Sequence, residues 1–80
     1  MVENKLKLIW EFIGIDADMI AKHHFVHLNE YVEKENLKIF KIGNEKIDKN
    51  ISNSFMIISE DLLYKIKKDL RPHKAFQITK

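Results

Sequence analysis

Three of the four histidines in this chain fall within five positions, in the run Lys22-His23-His24-Phe25-Val26-His27. Imidazole is the side chain whose ordinary pKa lies between pH 5 and 8, so such a run suits proton transfer, hydrogen bonding to a ligand, or metal ligation. At helical spacing, His24 shares one face with Ala17, Ile20, Ala21, Leu28 and Tyr31. A neutral imidazole on an apolar face needs a partner for its N–H, and a charged one costs more. One reading is a core histidine bonded to a backbone carbonyl or to Tyr31. The other puts His24 beside Trp10 and Tyr31 in a ligand-binding pocket between helix and sheet, as general acid/base or as a donor to a ligand. Trp10 is more simply a core residue, and its indole N–H calls for an acceptor, for which His24 is a candidate.

His23 and His27 are separated by one helical turn on the flank of that face, with Glu30 following. Two imidazoles at this spacing can meet one metal ion, and Glu30 could add an oxygen ligand. The zinc-protease helix motif requires a glutamate directly after its first histidine, and His24 stands there instead. An ordinary solvated helix flank is the competing account.

Other chemistries find little support. Ser52, Ser54 and Ser59 lack the Gly-x-Ser-x-Gly setting of an activated serine. The two glycines are isolated, so no Gly-rich phosphate loop exists. With no cysteine, disulfides and thiolate metal cages are excluded. No motif indicates a particular cofactor. Lys65, Lys67, Lys68, Arg71, His73 and Lys74 form a basic group that could meet phosphate. However, the third strand carries only Phe55 and no Lys or Arg, unlike an RNA-reading sheet with interleaved aromatic and basic residues. Nucleic acid is not an expected partner; cations at a helix C-terminus complement its dipole.

Composition limits what can position these groups. Eighty residues, 45% hydrophobic and 32% charged, with one proline, describe a single globular domain over residues 1–80, mostly of regular structure. A core of this size seldom supplies more than about 3–5 kcal/mol unaided. Without disulfides, association of two copies is the expected reinforcement, so a homodimer is anticipated. The net charge of +2 is weak, and the positive excess lies in the second half of the chain. Lys5 and Lys7 break the apolar stretch near the start, so no signal peptide is expected. No apolar run approaches the roughly 20 residues of a membrane span. The default expectation is a cytoplasmic protein away from membranes.

Patterning then predicts the elements. Residues 5–13 alternate, with Leu6, Leu8, Trp10 and Phe12 on one face and Lys5, Lys7, Ile9, Glu11 and Ile13 on the other, which predicts a strand. There Glu11 is expected to pair with Lys7. Asp16 is positioned to cap a helix running to about Glu35. Residues 37–42 predict an edge strand, 43–53 a long polar hairpin loop into which Ile47 and Ile51 could extend the strands, and 54–58 a central strand apolar on both faces. Ser59 is placed to cap a second helix with Leu62, Leu63, Ile66 and Leu70 inward, ended by Pro72. Residues 74–79 predict a last strand with Phe76 and Ile78 inward.

This β-α-β-β-α-β order resembles the ferredoxin-like arrangement, which implies an α+β fold with a four-stranded antiparallel sheet and both helices on one face. The proportions are similar to those of dimeric α/β-barrel proteins, such as antibiotic-biosynthesis-monooxygenase-like and YCII-like domains. That resemblance implies two sheets packed face to face and a pocket beside the first helix; it transfers no catalytic residue. In the homodimer, the contact is expected through Met19, Phe25 and Val26, or through the open sheet face around Ile9. The expected function is a small ligand-binding or regulatory interaction domain. A dimeric α/β-barrel enzyme using His24 as acid/base, and metal binding through His23, His27 and Glu30, are the alternatives, because the fold itself selects none of them.

Overall fold

The computed structural model describes residues 4–78. Strand β1 (Lys5–Ile13) is followed by helix α1 (Ala17–Lys34), strands β2 (Lys41–Asp48) and β3 (Ile51–Ser59), a 3-10 turn (Glu60–Leu62), helix α2 (Leu63–Leu70) and strand β4 (Lys74–Ile78). The sheet order is β2-β3-β1-β4 with every pair antiparallel. This is the ferredoxin-like α+β arrangement, with both helices packed on one face of the sheet.

The alternation of β1 is realised as expected. Leu6, Leu8 and Trp10 are buried with Leu28 of α1, Ile66 of α2, and Met56 and Ile58 of β3, while Phe12 packs against that cluster. Gly14 turns the chain at φ 135°, a conformation that L side chains rarely adopt. Asp16 takes the N-cap position of α1, but its carboxylate makes no capping hydrogen bond. The far end of α1 is closed by backbone geometry. Asn36 adopts φ 55°, and the N–H groups of Asn36 and Leu37 donate to the Glu33 and Val32 carbonyls. That is a Schellman closure with asparagine in the left-handed position, which its short side chain tolerates.

The β2–β3 hairpin departs from the pattern-based expectation. The long loop over 43–53 is instead paired strand on both sides of a tight Lys49-Asn50 turn, and β2 starts at Lys41 rather than 37. Polar side chains hid these strands, because ladder pairing uses only backbone groups. Edge strand β2 can carry Asn44, Glu45 and Lys46, since it faces water along one side. Gly43 has a specific role: the Phe55 ring lies across it, and an added Cβ would come within 2.7 Å of that ring. Residues 37–40 lead into β2, with Leu37 and Ile39 packed against the core edge.

β4 also differs from expectation. Phe76 pairs with Lys7 and Ile78 with Lys5, so both lie on the open face, and Phe76 is 52% exposed. Ala75 and Gln77, opposite Leu8 and Leu6, turn toward the helices instead. A five-residue strand of mixed composition leaves its parity undetermined, and the ladder decides it. Thr79, expected to extend this strand, lies outside the described residues.

On the open face Lys7 is not the partner of Glu11. Lys7 Nζ reaches Glu45 at 3.0 Å and lies 4.5 Å above the Phe55 ring, whereas Glu11 faces Lys74 at 3.8 Å. Glu45 lies across β3, the neighbour of β1, and the lysine stem covers Phe55 on the way. Ile9 and Phe55 are thereby buried on a face that carries no helix. Among the described residues no helix is long and apolar enough to cross a membrane.

Candidate functional site

The middle of α1 lies chiefly over β3. Small residues on both surfaces permit this approach: Ala17 and Ala21 are buried on the helix, and Ser52 and Ser54 on the strand. Ser54 shares its strand face with Met56 and Ile58, so its hydroxyl is removed from water and must find a partner within the protein. That partner is His24, whose Nδ1 lies 2.6 Å from Ser54 Oγ. The expectation of a backbone carbonyl or Tyr31 as the His24 partner is thus replaced by a serine of the central strand.

The His24 ring is partly buried. It stands 5.3 Å from the Trp10 ring and 5.4 Å from the Phe12 ring, centroid to centroid. Its Nε2 has no partner among the described residues and remains open to solvent. Removal from water, with the His27 and His73 imidazoles nearby, pushes its pKa below the ordinary 6.5. His24 is therefore neutral at pH 7.

Which nitrogen carries the hydrogen follows from Ser54. Its hydroxyl is fully buried, and His24 Nδ1 is its one hydrogen-bond partner among the described residues. If Nδ1 donated, the hydroxyl hydrogen would be left without an acceptor. The Ser54 O–H therefore donates to Nδ1, and neutral His24 carries its hydrogen on Nε2. Burial also removes Ser54 as a nucleophile; it orients the imidazole.

Trp10 is 3% exposed, and its indole N–H donates to the Leu70 carbonyl at 2.9 Å rather than to His24. It forms a floor beneath the imidazole and ties β1 to the end of α2. Tyr31 lies seven residues beyond His24, about 10 Å along the helix axis. Its hydroxyl donates to Asp69 Oδ2 at 2.6 Å. Lys65 completes that cluster, 2.9 Å from Glu35 and 3.4 Å from Asp69. Partial burial and the Asp69 carboxylate push the Tyr31 pKa up to about 12.

On the exposed flank, the Nε2 atoms of His23 and His27 are 3.0 Å apart. Glu30 approaches the other nitrogen of His27, Nδ1, at 3.3 Å. The carboxylate and His23 thus meet opposite edges of the His27 ring and do not converge on one point. No group of three metal-ligating side chains occurs among the described residues.

Pattern reasoning missed His73 as a neighbour of this site. It counted in the sequence only as part of a basic group. Arg71, in a left-handed conformation at φ 47°, and Pro72 bring the chain back beside β1. The His73 N–H then donates to the Ile9 carbonyl, and its ring stands 6.4 Å from Phe12. A histidine directly before a strand that pairs with the Trp10 strand was the available signal. An open groove of about 440 Å³ lies elsewhere, at the C-terminal end of α1, lined by Asn36–Phe40, Ser59, Asp61 and Leu62. Neither His24 nor Trp10 borders it. No protein-family model matches this chain, and no curated protein matches it at a significant level.

Proposed function

We propose that this protein is a small ligand-binding domain acting as a homodimer, with His24 as its recognition point. One observation carries the reading: a partly buried imidazole is bonded to a buried serine, lies over Trp10 and Phe12, and has an Nε2 without a partner among the described residues. A neutral imidazole with its hydrogen on the accessible nitrogen offers a hydrogen bond and has no lone pair there to take a proton. This favours a donor role over general-base catalysis by His24, the enzymatic alternative. Tyr31 donates its hydroxyl hydrogen to Asp69 and has no O–H left to donate to a ligand.

The homodimer rests on the open sheet face. Ile9 and Phe55 are buried there on a face without a helix, Lys7 lies over the Phe55 ring, and Phe76 stands exposed opposite Lys7. The same face carries the ion pairs Lys7–Glu45 and Lys74–Glu11 beside Lys5 and Lys41, so it offers both signs of charge to an identical face. The resemblance to dimeric α/β-barrel proteins, which join through this surface, supports the same partner, as does the small size of a core that has no disulfide to reinforce it. Light scattering over a dilution series should show a dimer that dissociates on Phe76→Glu; a constant monomer mass would remove it.

Ligand-observed NMR with fragments spanning acids, amines and neutral heterocycles tests the recognition point. His24→Phe keeps a ring over Trp10 while removing both nitrogens. Fragments bound by the wild type should be lost in this variant, with its circular dichroism unchanged. Equal binding by both proteins would sink the proposal.

A second reading is favoured by the 3.0 Å approach of the His23 and His27 Nε2 atoms. Two nitrogens at that separation, each about 2.0–2.1 Å from one ion, subtend roughly 90–95°. That angle suits the tetragonal preference of Cu(II) or Ni(II) better than tetrahedral Zn(II). Glu30 would have to leave His27 Nδ1 to join as a ligand. Calorimetric titration with each ion should show the copper heat abolished by His27→Ala; unchanged heat would end this reading.

A further inference from the structure

We infer that His24 and His73 together form a two-donor receptor for the carboxylate of a small acid whose apolar body lies against Phe12. This rests on His24 being the recognition point and adds the chemical class of the ligand. His73 is oriented as firmly as His24, by a different device. Its Nδ1 accepts the backbone N–H of Glu11 at 2.8 Å, replacing the strand carbonyl that the turn at Arg71 and Pro72 withholds. A neutral imidazole that accepts at Nδ1 carries its hydrogen on Nε2. Both histidines therefore present the same group, an Nε2–H with no partner among the described residues.

The rings lie against one aromatic side chain, 5.4 Å and 6.4 Å from the Phe12 centroid, each inclined at 64° to it. His73 is also one of the groups that disfavour a charge on His24. Among the described residues no carboxylate satisfies either Nε2–H. Glu11 is held on the open face by Lys74, and Glu30 is held by His27. His27 itself faces His23 and Glu30 with its two nitrogens and offers nothing further.

The donor set selects the ligand. Two neutral N–H groups match the two oxygens of a carboxylate, and hydrogen bonds to an ionised acceptor are the stronger kind. A phosphate dianion calls for Arg, Lys or a run of backbone N–H groups. Among the described residues no cation joins the His24–Phe12–His73 group, and Lys74, the residue after His73, is turned to the other side of the sheet. Phe12, only partly buried, favours an acid with an aromatic or aliphatic body.

The test uses the full chain with 15N-labelled imidazoles, titrated with benzoate and, separately, with benzylamine. At neutral pH both His24 and His73 should show Nε2–H tautomers. Benzoate should shift both rings and benzylamine neither. His73→Asn keeps an acceptor for the Glu11 N–H but removes the Nε2–H, and should weaken benzoate about tenfold without loss of fold. His24→Phe should abolish benzoate binding. An Nδ1–H tautomer on either ring, or benzoate affinity indifferent to His73→Asn, overturns the two-donor receptor. If His24→Phe still removes binding in that case, His24 remains the recognition point and only the ligand class falls. If benzoate and the other fragments are all indifferent to His24→Phe, both readings fall together.

Discussion

Two polar side chains lie on the same inward face of α1, one near its middle and one near its end, and they meet opposite fates. Tyr31 has a single hydroxyl, and that hydroxyl is engaged by Asp69 of α2, with Lys65 and Glu35 closing the cluster. His24 has two nitrogens; Ser54 takes one and the other faces solvent. The Tyr31 cluster is complete and acts as a brace between helices. The His24 group is oriented yet incomplete, which is what a recognition site requires. Position on the helix face does not separate these roles. The count of hydrogen-bonding groups left without a partner does.

The most severe break in this comparison is Trp10→Ala. Trp10 lies under His24 and binds the last turn of α2 through Leu70, so its loss loosens both regions together. Removing a buried ring of this size costs about 3–5 kcal/mol, and urea denaturation should show it. A loss confined below 1 kcal/mol would mean that the two regions are held independently.

Ser54→Ala should affect the His24 region alone. It leaves Nδ1 without its donor in a place shielded from water, at a cost of about 1–3 kcal/mol. The ring tautomers should then become mixed in 15N spectra, while the Tyr31 titration stays unchanged. An unaltered His24 tautomer would show that Ser54 does not set it.

Acidity separates the regions more gently. The folded pKa of His24 is pushed below its ordinary 6.5 by removal from water, then by His27 on its own helix and His73 from the lead-in to β4. The unfolded chain therefore takes up a proton first as pH falls through 6.5. Stability should decline below that pH and level off once the folded form is also protonated. His24→Phe should flatten this decline, and calorimetric melting at several pH values checks it.

For Tyr31 the sign is reversed. Its folded pKa of about 12 exceeds the ordinary 10.0, so the unfolded chain loses its proton first. Stability associated with Tyr31 should fall as pH rises from 10 toward 12. Ultraviolet titration should show one of the two tyrosines with this raised midpoint, and Asp69→Asn should bring it down. This is the smallest expected effect, because the cluster lies at the surface and is screened by solvent.

Much of the fold was legible because periodicity reports burial directly. The alternation over residues 5–13 located β1 to the residue, and the helical spacing from Ala17 to Tyr31 located α1. The hairpin was not legible, since Asn44, Glu45, Ser52 and Asn53 pair through backbone groups that side-chain patterning does not report. The face taken by Phe76 was hidden for a related reason: a shift of one residue reverses a short strand, and only its register with Lys7 resolves that. His24 was identifiable as an imidazole on an apolar helix face. Ser54 and His73 were not, because they lie 30 and 49 positions away in the chain and reach the site only through sheet pairing.

Local order and composition, by themselves, determined the sequence of strands and helices, the apolar face of β1 and the unusual density of imidazoles on α1. These depend on spacing along the chain, which sets side-chain direction within each element. Tertiary structure alone decided that Ser54 meets His24, that His73 stands near Phe12, and that Tyr31 bonds to Asp69. Each of those depends on a partner brought near by strand pairing or by the packing of the two helices, and hydrogen bonding acts only over a few ångströms.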